Sequence, residues 1–160
     1  MKNLLVINTL YAQFHCKLMN FRTGISYLNS CKRICKELEN SQSADLVHLM
    51  ARMHLTYCIL YSAISLHSKA IEHAREALKL HKSEIELRFK DTFVAVVHSR
   101  EKSKKYKVTR MIYYVILAFL NIGLIREQQK KYPECVGAFK NGLWFAENFL
   151  GDKEYMRLKI

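Results

Sequence analysis

Phe119-Leu120-Asn121-Ile122-Gly123, followed at fixed distances by Tyr132, Cys135, Phe139 and Gly142, describes two helical segments folded back on each other across a corner at Lys130-Lys131-Tyr132-Pro133. Two antiparallel helices approach closely only where neither carries bulk. Each therefore needs a small residue at the contact, flanked by large apolar side chains that fill the groove around it. Pro133 marks the start of the second helix, because proline is tolerated in a first turn but removes a hydrogen bond inside a helix.

The pattern recurs upstream. Gly123, Cys135, Gly142 share their gaps of twelve and then seven with Ala12, Gly24, Cys31 and with Cys58, Ala70, Ala77. Neighbours agree as well: Tyr11, Tyr57 and Ile122 stand one before the first small residue, and Phe14, Leu60 and Ile125 two after it. Phe21, His67 and Tyr132 fall at the corner, and Ile25, Ile71 and Val136 adjoin the second small residue. The rival triplet Ala51, Ala63, Ala70 would put its corner at Leu60, inside an unbroken apolar stretch. The nine residues of the three retained triplets are the expected repeat-packing positions, and cysteine serves there as a small apolar residue.

These residues resemble the tetratricopeptide repeat family, in which a helix with a large-x-x-large-small pattern precedes a second helix. The resemblance covers most of the chain; His15 and Arg126 depart from it where an aromatic is usual, as Tyr61 keeps, and Asn8 and His54 replace the first large residue. It implies an all-α fold of tetratricopeptide-like helical-hairpin repeats, an α-solenoid of about three repeats, in a single domain over 1–160. Repeat one covers 1–39, repeat two 44–105, repeat three 107–150, and 152–160 begin a terminal helix behind the glycine stop at Gly151. The first small residues lie forty-six and then sixty-five apart, more than the roughly thirty-four of a standard unit. Extra helix accounts for this: Leu78, Ile85, Phe89, Phe93 and Val97 continue one face to about residue 100. A helix from about Val108 to Lys131 answers it, giving one elongated antiparallel helix hairpin with the basic segment Ser99 to Arg110 at its tip. Breaks are expected at Asn40 to Asp45, where Ser43 or Asp45 caps the next helix, and at Lys102 to Lys107. The ending Phe145-Ala-Glu-Asn-Phe-Leu-Gly-Asp is similar to the longer repeats of kinesin light chain and of tetratricopeptide proteins of ciliates and flagellates. That similarity implies a cytoplasmic, ciliary or cytoskeletal setting.

Composition is consistent with one helical domain: 160 residues, half of them apolar, with five glycines and one proline. Five cysteines without a C-x-x-C pair are expected to be free thiols. The opening Met-Lys-Asn-Leu-Leu-Val-Ile lacks the cleavage site of a signal peptide, and the run Met111 to Ile125 is shorter than the roughly twenty residues of a membrane span. No membrane span is expected.

Helix-A positions line the concave face in the resembled family, which holds partner segments there. Carried over, that face is Thr9, Gln13, Thr56, Ile59, Leu120, Asn121, Leu124 and Gln128, polar in repeat one and apolar later, which suits an amphipathic helix. Leu120 and Leu124 have a second reading, as packing against the chain's own long helix. A carboxylate clamp is not expected, because only Asn121 of the matching residues could serve in one. The basic tip Arg100, Lys102, Lys104, Lys105, Lys107 and Arg110, within a formal charge of +12, would attract an acidic protein surface such as tubulin, or nucleic-acid phosphates. The favoured reading is nevertheless a solvated hairpin tip, and Tyr106 alone offers no stacking platform. Cys31 and Cys35 lie one helical turn apart but have no second close pair beside them, so neither a metal nor any other cofactor is expected. No phosphate loop, H-E-x-x-H or G-x-S-x-G motif occurs. The function expected is a non-enzymatic protein-binding adaptor within a larger assembly, with a nucleic-acid-associated helical protein as the alternative.

Overall fold

The computed structural model describes residues 1–38, 43–89 and 102–150, the side chains of 89 and 102–107 apart. Six helices occupy these described residues, with no strand among them: α1 Lys2–Lys17, α2 Phe21–Glu37, α3 Ala44–Ala63, α4 His67–Phe89, α5 Lys102–Gln128 and α6 Tyr132–Phe149.

Three hairpins, α1/α2, α3/α4 and α5/α6, turn in the same way. Each first helix ends on a left-handed residue, Met19 at φ 58°, Ser65 at φ 60° and Lys130 at φ 57°. The next amide donates back to the carbonyl five residues earlier, Asn20 to His15, Leu66 to Tyr61 and Lys131 to Arg126, each at 2.9 Å. This arrangement satisfies carbonyls that the helix end would otherwise leave open. Each left-handed residue lies seven beyond Ala12, Cys58 or Gly123, so the turn falls at the same register in all three hairpins. Side-chain caps fix two of the helix starts. Asn20 accepts from the Thr23 amide, and Ser43 rather than Asp45 caps α3, accepting from the Leu46 amide at 3.3 Å.

Contacts divide the chain into two compact units, Met1–Glu84 and Ile85–Ile160. In the first, Leu5, Leu28, Cys31, Ile34, Met53, Tyr57 and Leu60 form a core shared by α1, α2 and α3. In the second, Val108, Met111, Ile112, Ile116 and Ala146 are packed together, with Ile85, Phe145 and Phe149 around them. Ile85 thus brings the end of α4 against α5.

All nine small residues are buried. A Cβ on Gly24 would lie 3.2 Å from the Ala12 carbonyl oxygen and 3.2 Å from a Leu60 methyl, so this glycine is where α1 and α3 both press on α2. A Cβ on Gly123 would overlap the Phe139 ring. At Gly142 the nearest atom to such a Cβ is that of Phe119 at 3.4 Å, an ordinary contact.

Two expectations are corrected here. Lys102 to Lys107 is helix rather than a break, because α5 begins at Lys102; lysine favours helix and no glycine or proline interrupts the segment. The apolar run is also longer than Met111 to Ile125: Val108–Gln128 is long and apolar enough to cross a membrane. In the protein this helix buries Val108, Met111, Ile112, Val115, Ile116, Ala118 and Ile125, while Tyr113, Leu120 and Leu124 on it are exposed. The continuation of α4 towards residue 100, Arg100 and the terminal helix at 152–160 lie outside the described residues.

Candidate functional site

Helix α1 buries Leu5, Thr9 and Ala12, which its helical period places on one face. A second apolar stripe, Leu4, Ile7, Leu10, Tyr11, Phe14 and Leu18, stays about half exposed. Ile7, Leu10, Tyr11 and Phe14 line an open groove of about 370 Å³. Solvent-facing apolar side chains at this density on one helix are unusual unless something covers them.

The repeat register shows what the stripe is. Phe14 is 55% exposed, whereas its equivalents Leu60 and Ile125 are 0% and 1% exposed. Ile7 is 47% exposed against 2% for Met53 and 0% for Ala118. Tyr11 is half exposed, whereas Tyr57 is buried and donates its hydroxyl to Asn29 Oδ1 on α2 at 2.7 Å. The preceding hairpin covers this face on α3, through Gly24 against Leu60 and Asn29 against Tyr57. On α1 the equivalent face is open. Tyr27 of α2 borders it, stacked on Tyr11 at 5.3 Å and on His15 at 5.5 Å.

Charge completes the surface. Helix α1 contains no acidic residue and carries Lys2 at one end and His15 and Lys17 at the other. Its two termini therefore present a positive rim around an apolar centre.

The residues carried over from the family fall elsewhere. Thr9 and Thr56 are buried and present no surface: Thr9 Oγ1 donates to the Leu5 carbonyl at 2.8 Å, and Thr56 Oγ1 to the Arg52 carbonyl at 3.0 Å. Gln13 is half-buried and donates to Thr56 Oγ1 at 3.2 Å. Ile59, Leu120, Leu124 and Gln128 are exposed, and Asn121 is half-buried. Leu124 is 50% exposed, and the expected continuation of the long helix against it lies outside the described residues. Of the basic set, Lys102, Lys104, Lys105, Lys107 and Arg110 sit in the first turns of α5, with the Arg110 side chain exposed. The stripe on α1 was legible in the same register, since Tyr11 and Phe14 match residues that the later repeats bury.

Two polar clusters lie between α3 and α4. His73 stacks on Tyr57 at 4.5 Å and on Tyr61 at 5.4 Å, and its Nδ1 lies 2.9 Å from Nδ1 of His54, so one ring donates and the other accepts. Burial, then the neighbouring His73 and Lys32 charges, pulls the His54 pKa down to about 4, and burial lowers His73 as well. Deeper, His48 and His81 both place Nδ1 against Oε2 of Glu84, at 3.0 and 3.2 Å. This second cluster is the one group able to hold a metal ion among the described residues. His81 and Glu84 share a helical face, but His48 lies thirty-six residues away from Glu84 and only the fold joins them.

All five cysteines are free. Burial raises the thiol pKa of Cys16 and Cys31, and pushes that of Cys58 up to about 12.

Comparison with protein-family models, with curated proteins and with solved structures finds no match.

Proposed function

We propose that the chain is a non-enzymatic, tetratricopeptide-like repeat scaffold that takes an amphipathic helix of another protein across the open face of α1. The observation that carries this reading is the contrast at one register position, Phe14 exposed where Leu60 and Ile125 are buried. That face is built to be covered by helix, as the face of α3 is, and its groove between apolar side chains fits a stripe of residues spaced at i, i+3 and i+4. Identical turns in three hairpins and small residues at the helix contacts support the repeat character.

Charge selects the occupant. A second copy would bring Lys2 and Lys17 against the same cations and +12 against +12, which association at moderate salt disfavours. A partner helix flanked by Asp or Glu is complementary to the rim. The acid flanks set orientation and speed of encounter, and the apolar stripe supplies most of the affinity.

The test uses two synthetic amphipathic helices with the same leucine stripe, one flanked by glutamates and one by lysines. Titrated into the fluorescently labelled full chain, the glutamate-flanked helix is expected to bind at least about tenfold tighter, with the difference shrinking as salt rises. Ile7→Glu with Phe14→Glu is expected to remove this binding and leave helical circular dichroism unchanged. Equal binding of the two peptides, or none, overturns the proposal. So does a wild-type chain that dimerises through α1 until Phe14 is replaced, or one whose main ligand is mixed-sequence RNA released by salt.

A further inference from the structure

We infer that His48, His81 and Glu84 form a buried site for a divalent transition-metal ion, zinc being the ion that their chemistry fits best. The three residues are 5%, 0% and 1% exposed, and one ligand atom from each lies within 4.8 Å of the others. Two imidazole nitrogens and one carboxylate oxygen form a donor set suited to zinc and its borderline neighbours and poor for magnesium or calcium, which take oxygen. The Nδ1 atoms stand 3.0 and 3.2 Å from Glu84 Oε2. Two ligands on a tetrahedral zinc with bonds of about 2.0–2.1 Å are roughly 3.3 Å apart, which both His–Glu distances match, and the two histidine nitrogens lie within 4.8 Å of each other. With the ion bound, one carboxylate against a dication leaves a net positive charge, which a water or a small anion could meet as the fourth ligand.

A second observation points to a role outside packing. The repeat register places His81 and Glu84 of α4 where the first hairpin has Cys35 of α2 and its C-cap residue Leu38, and α6 has Ala146 and Phe149. Apolar residues thus serve at these positions in the other two hairpins. Burying a carboxylate and two imidazoles instead carries a desolvation cost that apolar residues would avoid. Residues that break the pattern of their own repeat at such cost are the ones expected to carry function.

The full chain, purified without chelator or metal-affinity resin and then stripped, is titrated with Zn²⁺ alone and with Co²⁺ alone. One ion per chain is expected, with the visible absorption of tetrahedral Co²⁺ and a midpoint of thermal unfolding that rises with added Zn²⁺. His48→Gln keeps a hydrogen-bond donor facing Glu84 but removes a ligand nitrogen, and is expected to weaken binding at least about tenfold. Replacing His81→Ala and Glu84→Leu together takes one apolar residue from each of the other hairpins and is expected to fold and bind no ion. Absence of Zn²⁺ and Co²⁺ binding by the wild-type chain overturns the site, leaving a hydrogen-bonded trio only. Binding that survives His48→Gln and Glu84→Gln undiminished also overturns it, because the ion would then sit on surface histidines.

Discussion

Gly123 and Gly142 occupy equivalent-looking places in the third hairpin, yet they differ in what surrounds them. Adding a methyl at Gly123 drives it into the Phe139 ring, whereas at Gly142 the methyl meets Phe119 at normal contact distance. Alanine is favoured over glycine in a helix by about 1 kcal/mol. Gly142→Ala is therefore expected to stabilise by up to about 1 kcal/mol, and Gly123→Ala to destabilise by about 1–2 kcal/mol once overpacking outweighs propensity. Urea unfolding of the two variants checks this pair, and Phe139→Leu should rescue Gly123→Ala. The left-handed residues give a second prediction at this scale. Met19, Ser65 and Lys130 are exposed, so no packing opposes their replacement. Each change to glycine is expected to raise stability by about 0.5–1 kcal/mol, read as a shift in unfolding midpoint. The small residues were legible because only spacing was needed to find them. The turn residues were not, because Met, Ser and Lys carry none of the glycine signal that normally marks a left-handed position.

Helices were the most legible level of this chain. Apolar periodicity and the corners at Phe21, His67 and Tyr132 located all three hairpins, since each corner residue opens the second helix of its pair. Charge misled the reading at Lys102 to Lys107: a dense cationic run looks like a loop, but its residues have high helix propensity and α5 continues through them. On α1, Thr9 is buried, its hydroxyl donating to the Leu5 carbonyl of its own helix. The half-exposed stripe of α1 predicts a contrast between register-equivalent residues. Phe14→Gln is expected to change stability by no more than about 0.5 kcal/mol, while Leu60→Ala costs about 2–5 kcal/mol. Measured side by side, comparable losses at the two positions would show that Phe14 contributes to the core of the free protein.

For the whole molecule, stability should depend on pH through the histidines between α3 and α4. His54 has a folded pKa of about 4, below the ordinary value of 6.5, and His73 shifts in the same direction. The unfolded chain therefore binds protons that the folded chain refuses. From these groups, stability is full above about pH 6.5 and falls as pH drops towards 4, because protonation favours the unfolded state. Thermal melts at pH 7 and pH 5 are expected to show a lower midpoint at pH 5. His54→Asn should reduce the difference, by removing a group that otherwise charges only when the pair opens. This dependence could not be read from the sequence: His54 and His73 are nineteen residues apart, on helices that meet only after folding.

The thiols at the helix seams make folding and redox state depend on one another. Cys31, Cys58 and Cys135 are enclosed by neighbouring helices, and a thiol held protonated to about pH 12, as at Cys58, supplies almost no thiolate to an oxidant. An unfolded chain exposes five such groups at once, free to cross-link with one another or with other chains. Heating this protein in air would then trap it away from the native state, whereas the same heating under reductant would leave the way back open.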